Sequence, residues 1–248
     1  MTRSDHGRLR SASASLSRRA ALASGAAMAS GAALLASGAV GLRPLRAGAP
    51  AVEPRIEYLE NEHVRLGIDL SLGGSITFLA NAATGENLVN NHDWGRQVQM
   101  SYYAAPVPFE PGGKRPKPHW AQLGWNPVQS GDAFGYPSQV LAFRRERNSL
   151  VVSARPMHWP LENEPAECVF ESRLTLEGST VRGVCRLKRH GSDEVPPIPR
   201  DQELPAIYTN GRFHRLLTYS GDRPFAGGDL TGGSEAKSGG RVGEVRRD

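Results

Sequence analysis

The sequence predicts an all-β protein, an antiparallel β-sandwich with long loops behind an N-terminal export segment. After residue 52, apolar and polar residues alternate with period two, which is typical of strands that bury one face. Clusters of Gly, Pro and Asn separate these runs. We find no amphipathic helix in this part of the sequence. Alternating strands without helices favour two sheets that pack face to face.

Residues 1–51 predict a bacterial export signal of the twin-arginine type. Arg18 and Arg19 follow Ser17 and precede an uncharged stretch, residues 20–42, that is rich in Ala, Gly and Ser. A membrane anchor is the alternative, since about 20 apolar residues span a bilayer. The Ser and Gly residues weaken that alternative. We expect the export machinery to recognise the arginine pair, cleavage near residues 47–51, no stable membrane span afterwards, and a periplasmic or extracellular location.

The basic composition does not predict nucleic-acid binding, because the positive charge is concentrated in the export segment. Residues 1–51 carry seven Arg against one Asp, a local net charge of +6. Residues 52–225 carry 19 Lys and Arg against 20 Asp and Glu, and the last 23 residues carry four of each. A nucleic-acid interface requires a basic surface that neutralises phosphates. The body lacks that excess, so we expect no nucleic-acid partner.

The strands of the body are predicted in the order of the chain. In residues 64–70, aliphatic residues at even positions alternate with Arg65, Gly67 and Asp69, which gives one apolar and one mixed side. Similar runs follow, separated by turn-forming residues, at Ser75–Leu79, Val98–Tyr103, Gln139–Phe143 and Leu150–Ala154.

A β-hairpin is predicted over residues 168–187. A two-residue turn at Glu177 and Gly178 would pair Leu176 with Ser179 and fix the register of both strands. A slip by one residue would turn the buried side chains to solvent, so burial of the apolar face opposes it.

The same register bears on the two cysteines. It pairs Phe170 with Cys185 and Cys168 with Leu187, which leaves the two sulfurs diagonal to each other. Diagonal neighbours lie about 7 Å apart, farther than a disulfide allows. We therefore predict two buried, reduced thiols. An exported location permits a disulfide, and a bulge would bring the pair together, so that alternative stays open.

The last 23 residues, 226–248, contain seven glycines, no aromatic residue and no apolar run as long as a strand. This composition predicts a disordered tail. We therefore divide the chain into an export signal (1–51), a β-sandwich domain (52–225) and the tail (226–248). The abrupt change in composition suggests that the domain is truncated; the alternative is a complete small domain.

Residues 64–90, VRLGIDLSLGGSITFLANAATGENLVN, resemble the opening of galactose mutarotase-like domains, the β-supersandwiches of aldose epimerases, several polysaccharide lyases and some glycoside hydrolases. The shared pattern is a strand, a bend at Gly73 and Gly74, a second strand, and a loop with Gly85 and Asn87. The resemblance implies sugar recognition on a concave face. In the epimerases a Glu and a His transfer protons, and neither can be assigned to a residue of this chain.

Four loops combine aromatic, carboxylate and amide side chains and are candidates for a ligand site: residues 90–103, 123–132, 156–167 and 200–211. Aromatic rings stack on the apolar faces of sugars, while Arg, Asp and Asn bind vicinal hydroxyls. The candidate substrate-binding residues are Asp93, Trp94, Arg96, Trp125, Asn126, Trp159 and Asn210. The alternative for the first loop is that Trp94 belongs to the core and that His92 and Asp93 form a turn.

His92, His158 and Glu203 are the candidate catalytic residues. A His close to carboxylates can serve as a general acid when its environment brings the pKa near the working pH. The alternative is that the acidic residues beside prolines are solvated loop residues. Residues 201–203, with two carboxylates and an amide, are also a candidate cation site, although their spacing is unlike an EF-hand.

Several enzyme classes lack their motifs in this sequence. G-x-S-x-G, G-x-G-x-x-G after a strand, the phosphate-binding G-x-x-x-x-G-K and H-E-x-x-H are all missing. Neither cysteine has a His at metal-ligand spacing, so we predict no zinc site. The leading hypothesis is an exported protein that binds or processes carbohydrate. The alternative is a non-catalytic extracellular binding or structural module. The sequence identifies no cofactor.

Overall fold

The computed structural model describes residues 52–190, 196–215, 217–219, 221 and 228–232. Within these residues the chain forms strands and short 3₁₀ turns and has no α-helix, which confirms the all-β sandwich prediction. The predicted export signal with Arg18 and Arg19 lies outside the described residues. No helix in the described part of the chain has the length and apolar character required to cross a membrane.

The described strands form three antiparallel sheets and a two-stranded ribbon. In chain order they are β1 (Ile56–Glu60), β2 (Val64–Asp69), β3 (Ser75–Asn81), β4 (Gln99–Ser101), β5 (Pro127–Val128), β6 (Gln139–Arg145), β7 (Ser149–Arg155), β8 (Met157–His158), β9 (Cys168–Glu177), β10 (Thr180–Arg189), β11 (Glu203–Ala206), β12 (Leu217–Tyr219) and β13 (Leu230–Gly232). The first sheet has the order β1-β2-β3, the second β10-β9-β7-β6, and the third β11-β4-β5-β8. The ribbon pairs β12 with β13.

The main hydrophobic core lies between the first and second sheets. Leu66 and Ile68 of β2 are fully buried and belong to the same cluster as Leu150 and Val152 of β7 and Leu174 of β9. These residues occupy alternate positions of their strands, so one face of each sheet supplies the cluster. The alternation seen in the sequence therefore produces this interface.

The bend at Gly73 and Gly74 connects β2 to β3 and packs against the rest of the body. Gly73 has φ 60° and follows a 3₁₀ turn, and Gly74 has φ 76°. A Cβ on Gly73 would lie 2.1 Å from the carbonyl oxygen of Gln129, and one on Gly74 would lie 2.6 Å from Val152. Only glycine allows both the positive φ and this close approach.

The predicted hairpin exists, but its predicted register is wrong by two residues. The turn is formed by Gly178 and Ser179, so Glu177 pairs with Thr180 and Leu176 pairs with Val181. Gly178 has φ 59°, and the first position of a two-residue turn favours glycine for this reason. A shift by two residues preserves the side of the sheet that each side chain occupies, so the predicted apolar face is correct.

Both cysteines are free, in agreement with the predicted thiols. The corrected register pairs Cys168 with Arg189 and Cys185 with Ser172, which separates the cysteines by four residue steps along the hairpin. That separation corresponds to about 13 Å of strand, well beyond disulfide reach. Cys168 is buried as predicted, whereas Cys185 on the outer strand is half-buried.

The ribbon includes part of the chain that the sequence predicted to be disordered. Leu230–Gly232 forms β13 and pairs with Leu217–Tyr219. The composition of the tail did not predict this backbone pairing of residues 230–232. Most of the remaining tail lies outside the described residues.

We predict that Gly73→Ala destabilises the fold far more than Gly85→Ala. Both positions have a positive φ, which costs a residue with a Cβ about 1–2 kcal/mol. The space around Gly85 is open, whereas a Cβ on Gly73 would overlap the Gln129 carbonyl. Because of this additional overlap, Gly73→Ala should lower the free energy of unfolding by about 3 kcal/mol or more. Urea unfolding of both variants measures the difference, and equal losses would contradict the packing of this bend.

Candidate functional site

The two faces of the third sheet have different roles. Gln99 and Ser101 of β4, with Tyr103 just beyond it, point to one face, because alternate residues of a strand share a side. Tyr102 and Ala104 point to the other. The cross-strand pairs extend this division to β5 and β8, where Ser101 pairs with Val128 and Val128 pairs with Met157. We call the face with Gln99, Ser101 and Tyr103 the open face, and the face with Tyr102 and Ala104 the packed face.

The packed face contributes to a second hydrophobic cluster. Ala104, Trp125 and Cys168 are buried in it, and Phe109 packs against it. His158 lies between two rings of this region, 4.6 Å from the centroid of Phe109 and 5.5 Å from that of Trp125. It is 2% exposed, and burial lowers its pKa to about 3. The imidazole is therefore neutral at physiological pH.

The open face carries a cleft of about 160 Å³. Its floor is formed by alternate residues of β4 and β5, and its sides by loops and by β11. The lining residues are Gly95, Arg96, Gln99, Ser101, Tyr103, Trp120, Leu123, Asn126, Val128, Trp159, Glu203 and Tyr208.

Two indoles form one side of the cleft. Trp120 and Trp159 pack edge to face, with ring centroids 6.1 Å apart, and Phe134 supports Trp120 at 5.9 Å. Lys117 lies over this group, with its Nζ 4.8 Å from the centroid of the Phe134 ring. Both indoles are half-buried, so each keeps part of its surface open.

Trp159 is held in place by three other segments. Its backbone N donates to the carbonyl of Asn126 at 2.9 Å, and its own carbonyl accepts from Ala133 N at 3.0 Å. Its ring lies directly against Gly95, where a Cβ would come within 2.4 Å of it. The indole is therefore positioned before any ligand arrives, and its side-chain entropy is already lost.

A chain of hydrogen bonds joins the charged groups of the cleft. Arg96 Nη1 donates to the Tyr208 hydroxyl at 3.0 Å, and this hydroxyl donates to Glu203 Oε1 at 3.2 Å. The Arg96 guanidinium also lies 5.0 Å from the centroid of the Tyr208 ring. Tyr208 thus bridges one cation and one anion.

The two tyrosines of the cleft keep their protons. Burial, followed by the charge of Glu203, raises the pKa of Tyr103 to about 12. The same two causes raise the pKa of Tyr208, while the Arg96 charge opposes them. Neutral phenols are hydrogen-bond donors as well as acceptors; the Tyr208 proton is donated to Glu203, and the Tyr103 hydroxyl also keeps a proton to donate.

The amides of the floor are fixed by the protein itself. Asn126 Nδ2 donates to Ser101 Oγ at 3.1 Å and to the Tyr102 carbonyl at 3.0 Å. Gln99 Nε2 donates to the Gly95 carbonyl at 2.7 Å, and its oxygen accepts from Ser130 N. These bonds make the floor rigid.

Four of the residues proposed from the sequence line the cleft: Arg96, Asn126, Trp159 and Glu203. Each comes from a different one of the four candidate loops, and Glu203 begins β11 within the fourth. Trp125 and His158, each adjacent to one of them in sequence, lie on the packed face instead. The alternation of the strands separates the members of each neighbouring pair.

The remaining proposed residues lie outside the cleft. His92 and Asp93 are exposed, and their backbone amides donate to Asn90 Oδ1, which forms the turn that was the alternative for this loop. Trp94 is half-buried and donates from Nε1 to the Asp132 carbonyl. Asn210 donates to the Asn87 carbonyl. The three candidate catalytic residues therefore share no cavity.

The candidate cation site at residues 201–203 has its ligands directed apart. Gln202 forms two hydrogen bonds with the backbone of Tyr103, at 2.8 and 2.9 Å, so its amide is engaged. Glu203 lies in the cleft. In the described part of the chain no three His, Cys, Asp or Glu residues gather as a metal site would require.

Sequence reasoning missed several residues of the cleft. Gln99, Ser101 and Tyr103 belong to a run that was predicted as a strand, so its alternation already placed them on one side. Trp120 lies in a 3₁₀ turn, Pro118–Leu123, within a proline-containing loop. No local pattern distinguished it.

The comparisons with known proteins show no family. No family model matches the chain, and no curated protein matches it. Among solved structures it is similar to a 4-alpha-glucanotransferase from Thermococcus litoralis, with a TM-score of 0.34 and 13% sequence identity. The match covers 56% of this chain and 24% of the glucanotransferase, so the chain spans about a quarter of that enzyme. The similarity of residues 64–90 to mutarotase-like domains stays a prediction.

We predict that acid destabilises the wild-type protein more than the His158→Leu variant. The folded-state pKa of His158 is lowered from 6.5 to about 3, so its neutral form favours folding above pH 6.5. This contribution is lost as the pH falls from 6.5 towards 3, and its full size is on the order of a few kcal/mol.

The measurement is urea unfolding of both proteins between pH 7 and pH 4. His92→Leu is the control, because this exposed imidazole is in water in both states. If the free energies of unfolding of wild type and His158→Leu differed by the same amount at every pH in this range, the neutral, buried state of the ring would be contradicted.

Proposed function

We propose that the protein is exported and binds carbohydrate in the cleft on the open face of the third sheet, without turning the sugar over. The observation that carries this proposal is the combination of two positioned indoles with hydrogen-bonding groups on a rigid floor. Trp120 and Trp159 supply the aromatic surface, and Arg96, Glu203 and Tyr208 supply polar groups.

The cleft has the chemistry that a sugar ring requires. A pyranose has apolar C–H faces that stack on indoles and hydroxyl edges that need donors and acceptors together. Arg96 donates, Glu203 accepts, and the neutral Tyr103 hydroxyl does both. The volume of about 160 Å³ is below the roughly 300–1,000 Å³ of pockets for drug-sized ligands. It therefore favours a single small ring.

Binding is favoured over catalysis because the described lining of the cleft has no second carboxylate and no imidazole. Among the described residues that line it, Glu203 is the only carboxylate, and there is no imidazole. Glycoside hydrolysis generally requires two carboxyl groups on opposite sides of the scissile bond. His158 is neutral and lies on the packed face, behind the sheet. A non-catalytic binding module fits this arrangement better than an epimerase or a hydrolase does.

We predict that Trp120→Ala and Trp159→Ala each weaken sugar binding by about 5- to 150-fold, since loss of a stacked ring costs about 1–3 kcal/mol. Calorimetric titration with mono- and oligosaccharides of glucose, galactose, mannose, N-acetylglucosamine and uronic acids measures the effect. Trp120→Phe keeps a ring and should retain most of the affinity. Tyr58→Ala removes a half-buried aromatic residue of the first sheet and serves as the control.

The same sugars, incubated with the protein and assayed for reducing ends, unsaturated products and anomeric exchange, should remain unchanged. Turnover that Glu203→Gln abolishes would replace the binding function with an enzymatic one. If none of these sugars binds, the carbohydrate function is rejected.

We predict that replacing Arg18 and Arg19 together by Lys stops export of the full chain from a bacterium with a twin-arginine pathway. Lysine keeps the charge, so the change removes the arginine pair without altering the charge of the segment. Immunodetection in periplasmic and cytoplasmic fractions measures the result. Replacing Arg8 and Arg10 by Lys is the matched control. Export that persists in the first variant would mean that the pair is not the signal.

A further inference from the structure

A second cavity lies beside the cleft, where the end of the second sheet meets β8. Its volume is about 220 Å³. The lining residues are Tyr136, Pro137, Gln139, Arg155, Met157, Asn163 and Pro165. None of them was proposed as a site residue from the sequence.

One continuous run of chain contributes to both cavities. Arg155 ends β7, Met157 begins β8, and Trp159 directly follows β8. Arg155 and Met157 line the second cavity, and Trp159 lines the cleft.

The cross-strand pairs of the third sheet also place the two cavities next to each other. Ser101 pairs with Val128, and Val128 pairs with Met157. Directly paired residues share a face, so the floor of the cleft continues across β5 to Met157 in the second cavity. Val128 lines the cleft and its direct partner Met157 lines the second cavity, so one strand spacing of about 5 Å separates these two residues. The two cavities are neighbours on the open face.

The second cavity repeats the chemistry of the cleft. The ring of Tyr136 and two prolines provide apolar surface, and Gln139, Arg155 and Asn163 provide amide and guanidinium groups. Arg155 is already oriented, because its Nε donates to the Ala166 carbonyl at 3.1 Å and its Nη2 pairs with Glu167. The half-buried rings of Tyr136 and Pro137 beside the oriented guanidinium of Arg155 again suit a sugar ring.

The loop that carries Asn163 at the second cavity is fixed from both sides. Asn163 has φ 48°, a left-handed conformation that Asn tolerates better than most residues. Its backbone N donates to Oδ2 of the fully buried Asp132 at 2.7 Å. Lys114 pairs with Glu164 at 2.7 Å on the outer side of the same loop. The shape of the second cavity therefore exists before binding.

We propose that the two cavities are subsites of one groove and that the ligand is an oligosaccharide rather than a monosaccharide. The cleft holds one ring against the side formed by Trp120 and Trp159, and the second cavity holds a neighbouring ring against Tyr136. The two cavities, of about 160 and 220 Å³, are each small enough for a single ring, so a ligand that fills both is a linked chain of rings. This inference rests on the proposed function of the cleft.

The test compares sugars of one series and increasing length, from the monosaccharide to the hexasaccharide, by calorimetric titration of the full chain. We expect affinity to rise by at least about tenfold between the monosaccharide and the longer members, the equivalent of 1.4 kcal/mol. Gln139→Ala and Tyr136→Ala should each lower the affinity for the longer members by about three- to tenfold. Both should leave monosaccharide binding within about twofold of wild type.

Gln139 is exposed, so Gln139→Ala keeps the test valid if Tyr136→Ala fails to fold. Val184→Ala, on the edge strand of the second sheet, is the control for an exposed substitution. A monosaccharide that binds as tightly as its oligomers, or length-dependent binding that both variants leave intact, overturns the two-subsite groove while the carbohydrate function survives. Absence of binding by every sugar instead rejects the carbohydrate function, and the groove with it.

Discussion

The candidate site depends on one constraint, the opposite direction of adjacent side chains in the third sheet. Trp125 and Asn126 are neighbours in sequence, yet the first packs into a hydrophobic cluster and the second forms the floor of the cleft. His158 and Trp159 are divided in the same way. Because period-two geometry is imposed by the backbone, burial of Trp125 and His158 on one face necessarily presents Asn126 and Trp159 on the other.

The sandwich stabilises this sheet through buried polar contacts as well as apolar packing. Gln129 is 3% exposed and donates to the Gly73 carbonyl, while its own oxygen accepts from Met100 N of β4. It therefore connects the bend of the first sheet to the strand that carries the floor of the cleft. Ile76 and Val98 add two backbone hydrogen bonds between these regions. A floor tied in this way to a packed core moves little on binding, which limits the entropic cost of association.

The sequence predicted the strands and their faces well, because burial on one side leaves a period-two pattern. The hairpin shows the limit of this information. Its faces were predicted correctly, but its turn was placed one residue too early, and a register error of two residues changes no face. The site was predicted in part: Arg96, Asn126, Trp159 and Glu203 were named, whereas Trp120 was not. Trp120 reaches the cleft through the fold of a loop, which no local periodicity encodes.

The charges of the cleft also bear on the kind of ligand it accepts. Arg96 and Glu203 are both hydrogen-bonded to Tyr208, so the cation and the anion offset each other within the site. A strongly charged ligand would gain from one of these groups and be opposed by the other. A neutral ligand with hydroxyl groups meets no such conflict, because each hydroxyl can donate to the carboxylate and accept from the guanidinium. The electrostatics of Arg96, Tyr208 and Glu203 therefore favour neutral sugar units over uronic acids.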